Sequence, residues 1–162
     1  MIVTTPWGPV GVGICYDAYR FPELSRYYAA KGCRIYVNAT ARAESSGADF
    51  GNKTLEVTAV REGLFVVTAN LCGRCGSNVF MGGSSIIGPS RRKSEPHYYA
   101  GLPFGASGAD EAGTHLATID LALADRALFC EDEATGGMRW RPKCYQSMLD
   151  DVLGGKAVNP SL

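Results

Sequence analysis

The feature that most restricts the fold is an alternation of apolar runs and helical signals between residues 10 and 40. VGVGI at 10–14 is a short apolar run lightened by glycine, the pattern of a buried strand. FPEL at 21–24 places a proline at a first helical position and a glutamate, Glu23, in the first turn. Leu24, Tyr27, Tyr28 and Lys31 then fall at helical spacing, with Gly32 as a stop signal. RIYVNAT at 34–40 is β-branched and aromatic and reads as a second strand. Strand, helix and strand within about thirty residues make a βαβ unit, so the class is α/β with strands running parallel across a crossover.

Further along, a helix is expected over about 53–62, stopped by Gly63. LFVVTANL at 64–71 is the clearest strand, and NVFMGGSSII at 78–87 reads as another, its glycines marking a bulge or a close backbone approach. HLATIDL at 115–121 reads as a late strand and 122–129 as a helix. Residues 90–114, rich in Gly, Pro, Ser and Tyr, lack clear periodicity; a loop that long is functional or an insertion. A basic and aromatic stretch from Arg139 leads into a short helix at 145–153 and a frayed end. At 162 residues the expectation is a single domain over the whole length, with a tail from Tyr145 onward.

Sixteen basic residues balance sixteen acidic ones, and the longest basic cluster is Arg91-Arg92-Lys93. That is not the one-signed field of a nucleic-acid or anionic-membrane binder. No apolar stretch reaches the length of a membrane span, and the N-terminus lacks the pattern of a signal peptide. Cytoplasm is the expected location. In that compartment the six cysteines (Cys15, Cys33, Cys72, Cys75, Cys130, Cys144) are read as thiols rather than staples.

Cys15 stands between the first apolar run and the helix signal, in GICYDAYRFPEL. A strand–helix turn exposes a side chain and turns backbone N–H groups towards a developing oxyanion. A helix N-terminus also favours a thiolate. By residue type alone, a small buried cysteine filling space at a strand end explains the position equally well.

The longer stretch GVGICYDAYRFPEL resembles the signature around the catalytic cysteine of the nitrilase, or carbon–nitrogen hydrolase, superfamily. TPWG at 5–8 resembles the family's preceding hairpin, and FVVTAN at 65–70 one of its strands. FMGGSSIIGP at 80–89 follows its F-x-G-x-S-x-I-I-x-P pattern. Ile119-Asp120-Leu121 with Arg126 resembles its closing strand and arginine, and Arg141-Pro142 with Tyr145 its tail.

The resemblance implies an αββα sandwich and hydrolysis of amide, carbamoyl or nitrile C–N bonds through a cysteine thioester. It implies Cys15 as nucleophile and the backbone N–H of Tyr16 as an oxyanion donor. It implies no cofactor and no metal, a small-molecule amide or nitrile-type substrate, and a homo-oligomer, a dimer above all.

The family's base glutamate and oxyanion lysine lie upstream of the cysteine, and none of the fourteen residues before Cys15 is Glu or Lys. The expectation is therefore a truncated sandwich, completed by oligomerisation because an uncovered apolar sheet face seeks a partner. It is a hydrolase if complemented; the alternative is a non-catalytic nitrilase-like scaffold or interaction module. There is one residue more than the commonest form of the motif between Asp17 and Phe21, and Arg61-Glu62 replaces the usual Glu-Asn pair. Glu23 is explained by its helix start, Glu44 as a surface loop carboxylate and His115 as an ordinary strand residue. His97 is the in-chain base candidate worth testing. Cys72-Gly73-Arg74-Cys75 has zinc-knuckle or dithiol spacing but no second ligand pair, and Gly82-Gly83-Ser84-Ser85 lacks the ending of a phosphate loop.

Overall fold

The computed structural model of the chain describes residues 1–92 and 95–154. Lys93 of the basic cluster and the end expected to fray past Gly154 lie outside the described residues. The chain divides into two compact units, 1–127 and 128–162.

Unit 1 opens with a hairpin. Strand β1 (Ile2–Thr5) pairs antiparallel with β2 (Gly8–Ile14), with Trp7 at the turn. Helix α1 (Tyr16–Arg20) and helix α2 (Pro22–Ala30) follow, then β3 (Ile35–Thr40), α3 (Ala48–Glu62) and β4 (Phe65–Asn70). Strand β2 pairs with β3 and β3 with β4, both in parallel, as the crossovers require. A hairpin of β5 (Cys72–Cys75) and β6 (Asn78–Met81) stands apart as a separate sheet. Strands β7 (Ser85–Pro89) and β8 (Pro96–Gly101) return antiparallel, completing a six-stranded sheet in the order β1-β2-β3-β4-β7-β8. This is one helix layer on one sheet, two of the four layers of the nitrilase-like αββα sandwich.

The period of two along each strand decides the core. Tyr36, Asn38 and Thr40 of β3 and Val66 and Thr68 of β4 are buried on the helix side. There Tyr28 of α2 packs 5.4 Å from Tyr36, and a Cβ at Gly11 would overlap the Tyr28 ring. The alternate residues Val10, Val12, Ile35, Val37 and Val67 are only half-buried, and Ile14 is 66% exposed. One sheet face is thus sealed by helices, and the other is apolar and largely open.

Helix α3 ends where Gly63 adopts φ 61, ψ 49, the left-handed cap that its sequence signal announced. Glu62, one residue earlier, is fully buried. It accepts from Arg26 Nη2 at 3.0 Å and Nε at 3.2 Å, and from Arg61 Nε at 2.6 Å. Here the Arg-Glu pair forms a buried carboxylate clamp that ties α3 to α2.

Several sequence expectations need correction. The 78–87 run is two strands, because Gly82 and Gly83 take φ 61 and 76 and the chain turns between two sheets. A Cβ at Gly82 would overlap the Ala109 carbonyl, so the close approach read from the glycines exists, though the single strand does not. Part of the 90–114 loop is strand β8, whose adjacent tyrosines take opposite faces: Tyr99 lies 5.3 Å from Phe65, and Tyr98 Oη donates to Glu56 of α3 at 2.9 Å. The expected strand at 115–121 forms no ladder with any of the described residues, because a strand exists only by pairing. The helix expected at 122–129 resolves into two 3₁₀ turns, Leu121–Leu123 and Ala127–Phe129, the first capped by Asp120 accepting from Ala122 N at 2.9 Å. Helix α1 was not anticipated at all.

Unit 2, described to Gly154, is built on α4 (Pro142–Leu153), preceded by a bridge between Glu131 and Met138. Trp140 stacks on Tyr145 with centroids 4.4 Å apart, and Phe129 lies 5.4 Å from Trp140.

Candidate active site

In a parallel sheet, side chains beyond the C-terminal strand ends converge on one edge. Cys15 follows the last residue of β2, and its N–H donates to the Ala39 carbonyl at 2.7 Å, prolonging the ladder by one bond. It then turns with φ 47 and ψ −106, a conformation outside both the β and the left-handed helical wells. That turn lifts the thiol off the sheet and starts α1 at Tyr16. With only five residues, α1 supplies individual N–H groups rather than the macrodipole anticipated from sequence.

The thiol sits in a pocket of about 300 Å³ lined by Cys15, Tyr16, Tyr19, Arg20, Ala41, Arg42, Ser46 and Phe50. Thr40 Oγ1 donates to Cys15 Sγ at 3.4 Å. Burial pushes the thiol pKa up, but the Ala41 N–H, the Thr40 hydroxyl, the Tyr16 N–H and the Arg42 charge outweigh it. The net direction is down, towards thiolate. The Tyr16 N–H therefore reaches the sulfur, while the Tyr16 ring is 60% exposed beside Phe21.

Arg42 is buried, its guanidinium 4.9 Å from the centre of the Tyr19 ring, and it donates to the carbonyls of Ser46 and Gly47. Asn70, at the end of β4, fixes this region from beneath. Its Oδ1 accepts from Arg42 N at 2.7 Å and its Nδ2 donates to Gly82 O at 2.6 Å. Ser84 Oγ accepts from Asn70 N at 2.9 Å. The FVVTAN and GGSS segments thus brace the loop that carries Arg42 and touch no phosphate-like cradle. Arg20 places its guanidinium 4.8 Å from the centre of the Phe50 ring. Both cations border the pocket, and among the described residues no carboxylate lines it.

The other sequence candidates fall elsewhere. Glu23 is an exposed first-turn residue of α2, and Glu44 opens a 3₁₀ turn with its side chain in solvent. His115 lies exposed, outside any strand or helix among the described residues. His97 pairs with Gly88 near the far end of β8, at the opposite end of the sheet from Cys15. It is also four strand positions away, about 19 Å laterally at ordinary strand spacing. His97 is therefore no base for this thiol, and its ring contact is with Tyr99, 4.7 Å away. Cys72 and Cys75 sit at i and i+3 on one strand, which turns them to opposite faces, so they neither clamp a metal nor close a disulfide. None of the six cysteines forms a disulfide.

Sequence reasoning missed Thr40, Tyr19, Arg42 and Phe50. The parallel register offered a signal for the first: Ile14 pairs with Ala39, so Thr40 must stand beside Cys15. Tyr19 and Phe50 had none, since only helix packing brings them together.

Comparison with known proteins bears on the fold and the family. The omega-amidase NIT2 of Danio rerio is 40% identical over 86 residues, 52% of this chain and 31% of that protein. The Caenorhabditis elegans NitFhit structure superposes with TM-score 0.63 at 26% identity, covering 76% of this chain and 27% of that one. A mutant amidase from Nesterenkonia sp. AN1, bearing the acetamide moiety of fluoroacetamide on its active-site cysteine, superposes with TM-score 0.57 at 28% identity. That likeness covers 76% of this chain and 42% of the amidase. The chain spans about a third or less of the length of the curated relatives it matches, 31% for the zebrafish protein. The carbon-nitrogen hydrolase family model matches residues 1–127, which include Cys15 and every residue of its pocket and stop short of the Arg141-Pro142 tail. The chain belongs to the carbon-nitrogen hydrolase family.

Proposed function

We propose that this chain carries the nucleophile of an amidase that cleaves small amides through a thioester on Cys15. The observation that supports it is the Cys15 turn itself: a strained, solvent-reaching thiol at the C-terminal edge of a parallel sheet, drawn towards thiolate by surrounding donors. The sulfur attacks the amide carbon, a C–S bond forms, and the carbonyl oxygen takes up negative charge facing the Tyr16 N–H. Collapse breaks the C–N bond, and the nitrogen leaves as ammonia after gaining a proton. Water then cleaves the thioester, giving a carboxylic acid and returning the thiol.

Two proton transfers in that cycle need a base and acid. No carboxylate among the described residues lines the pocket, so we assign that role, and the lysine's, to groups outside residues 1–162 or to a partner. The open apolar sheet face is the surface a partner would cover, and a second copy of the chain is the simplest partner. The cytoplasm, where cysteines remain reduced, is the compartment we propose. With Arg20 exposed at the rim and no acid lining the pocket among the described residues, the favoured substrate is an amide whose acyl part carries a carboxylate.

The test is incubation with acrylamide or fluoroacetamide followed by peptide mass spectrometry, and ammonia release from succinamate or glutaramate. A covalent adduct on Cys15 and ammonia release that vanishes in Cys15→Ala are expected. Release that survives Cys15→Ala refutes the reading. Absence of both adduct and release favours the non-catalytic scaffold.

A further inference from the structure

Three side chains stand behind Cys15 in a line that the thioester chemistry does not itself require. Thr40 Oγ1 donates to Cys15 Sγ at 3.4 Å, Tyr19 Oη donates to Thr40 Oγ1 at 3.4 Å, and Asn38 Nδ2 donates to Tyr19 Oη at 3.4 Å. Every link points the same way. Each hydroxyl spends its proton on the next acceptor, so the chain of dipoles ends with its positive side against sulfur. Such an arrangement stabilises a negative charge at its end and gives little to a neutral thiol, which would offer a competing proton.

The line is also shielded. Asn38 is fully buried, Tyr19 is 7% exposed and Thr40 is 8% exposed, so water does not substitute for a missing member. Thr40 is placed by backbone register alone, one step beyond the Ile14–Ala39 pair, and Tyr19 by the single turn of α1 that Cys15 initiates. The two oxygen-to-oxygen and nitrogen-to-oxygen links are long for hydrogen bonds, so weight falls on the Thr40–sulfur contact and diminishes along the line.

We propose that Thr40 is a positioning residue that holds Cys15 ready as a thiolate, with Tyr19 and Asn38 orienting its hydroxyl. This rests on the reading of Cys15 as the nucleophile, and it adds that β3 and α1 of this chain themselves contribute to holding the sulfur as a thiolate. Among the described residues, the titratable and charged groups lining the sulfur's pocket are Tyr19 and Arg20 of α1, Tyr16 at its start, and Arg42 after β3, with Phe50 presented by α3; the Asp17 carboxylate of α1 accepts from Ile14 N at 3.4 Å. Burial pushes the Tyr19 phenol above its ordinary value, so it stays protonated and remains a donor through the neutral range.

The experiment is the pH profile of iodoacetamide alkylation of the full chain, followed at Cys15 by peptide mass spectrometry, in wild type, Thr40→Val, Thr40→Ser and Tyr19→Phe. Thr40→Val preserves shape and removes only the hydroxyl. Its alkylation midpoint is expected to rise by about one pH unit, which a lost charge-assisted hydrogen bond is worth. The rate at neutral pH should fall about three- to tenfold, the higher nucleophilicity of a more basic thiolate offsetting part of the loss. Thr40→Ser should restore the wild-type midpoint, and Tyr19→Phe should move it in the same direction by less. If wild-type Cys15 reacts no faster than the exposed Cys75 and Cys144, the nucleophile reading itself fails. If Cys15 is fast and Thr40→Val leaves the midpoint in place, the positioning role alone is refuted. Should Thr40→Val not fold, an unchanged midpoint in Tyr19→Phe together with a shifted one in Thr40→Ser overturns the proposal equally.

Discussion

Replacing Cys15 by glycine should make the protein more stable than replacing it by alanine, although glycine usually weakens a fold. Both variants lose the sulfur and the Thr40 contact, so they differ only in the Cβ and in backbone freedom. At φ 47 and ψ −106 a Cβ is held in a sparsely populated region, which costs about 1–3 kcal/mol. Glycine removes that strain and gives back about 0.5–1 kcal/mol through the larger freedom of its unfolded chain. The balance favours Cys15→Gly over Cys15→Ala by about 1 kcal/mol, or a few degrees in melting temperature for a unit of this size. Urea unfolding followed by far-UV circular dichroism measures it, comparing midpoints at equal slope. If Cys15→Gly is the less stable of the two, the turn is not strained, and strain is not what presents the thiol.

Two further outcomes follow from buried polar groups. Glu62→Gln keeps the shape of a fully buried side chain but sets an amide N–H2 against the guanidinium of Arg26, which is 20% exposed. Breaking one side of such a pair should cost about 3 kcal/mol in the urea midpoint, and a loss near zero would show that the clamp between α2 and α3 is idle. Tyr36→Phe is expected to stabilise the fold by about 1 kcal/mol, because the Tyr36 hydroxyl is buried with no hydrogen-bond partner among the described residues. Burial, with Tyr28, Asp17 and Tyr19 adding to it, pushes the Tyr36 phenol well up. A raised acid pKa contributes stability below the unfolded value that is lost as pH rises, so wild type should weaken above about pH 10 and Tyr36→Phe should weaken less. A lower urea midpoint for Tyr36→Phe would refute this.

The parallel core was legible because periodicity and cap chemistry are local. VGVGI, RIYVNAT and LFVVTANL became β2, β3 and β4 with ends shifted by a residue or two, and Gly63 closed α3 as its position required. The failures share a cause. Residues 115–121 have the composition of a strand but no neighbour to pair with, and pairing is not written in the segment itself. The opposite error occurred at 96–101, where Pro, His and Gly masked a strand that β7 captures.

For the site, the sequence by itself determined that Cys15 stands between a buried strand and the helix signal at Pro22, and the order of motifs around it pointed to the family. What it could not determine is which groups face the sulfur. Thr40 arrives by register, Tyr19 by the pitch of a helix five residues long, and Arg42 through an asparagine twenty-eight positions away in the chain. It also left His97 open as a base until the strand order set it four strands from the thiol. A strand or a cap is encoded by neighbours in sequence and can be read there. The electrostatic surroundings of a nucleophile are encoded by neighbours in space, and only packing chooses them.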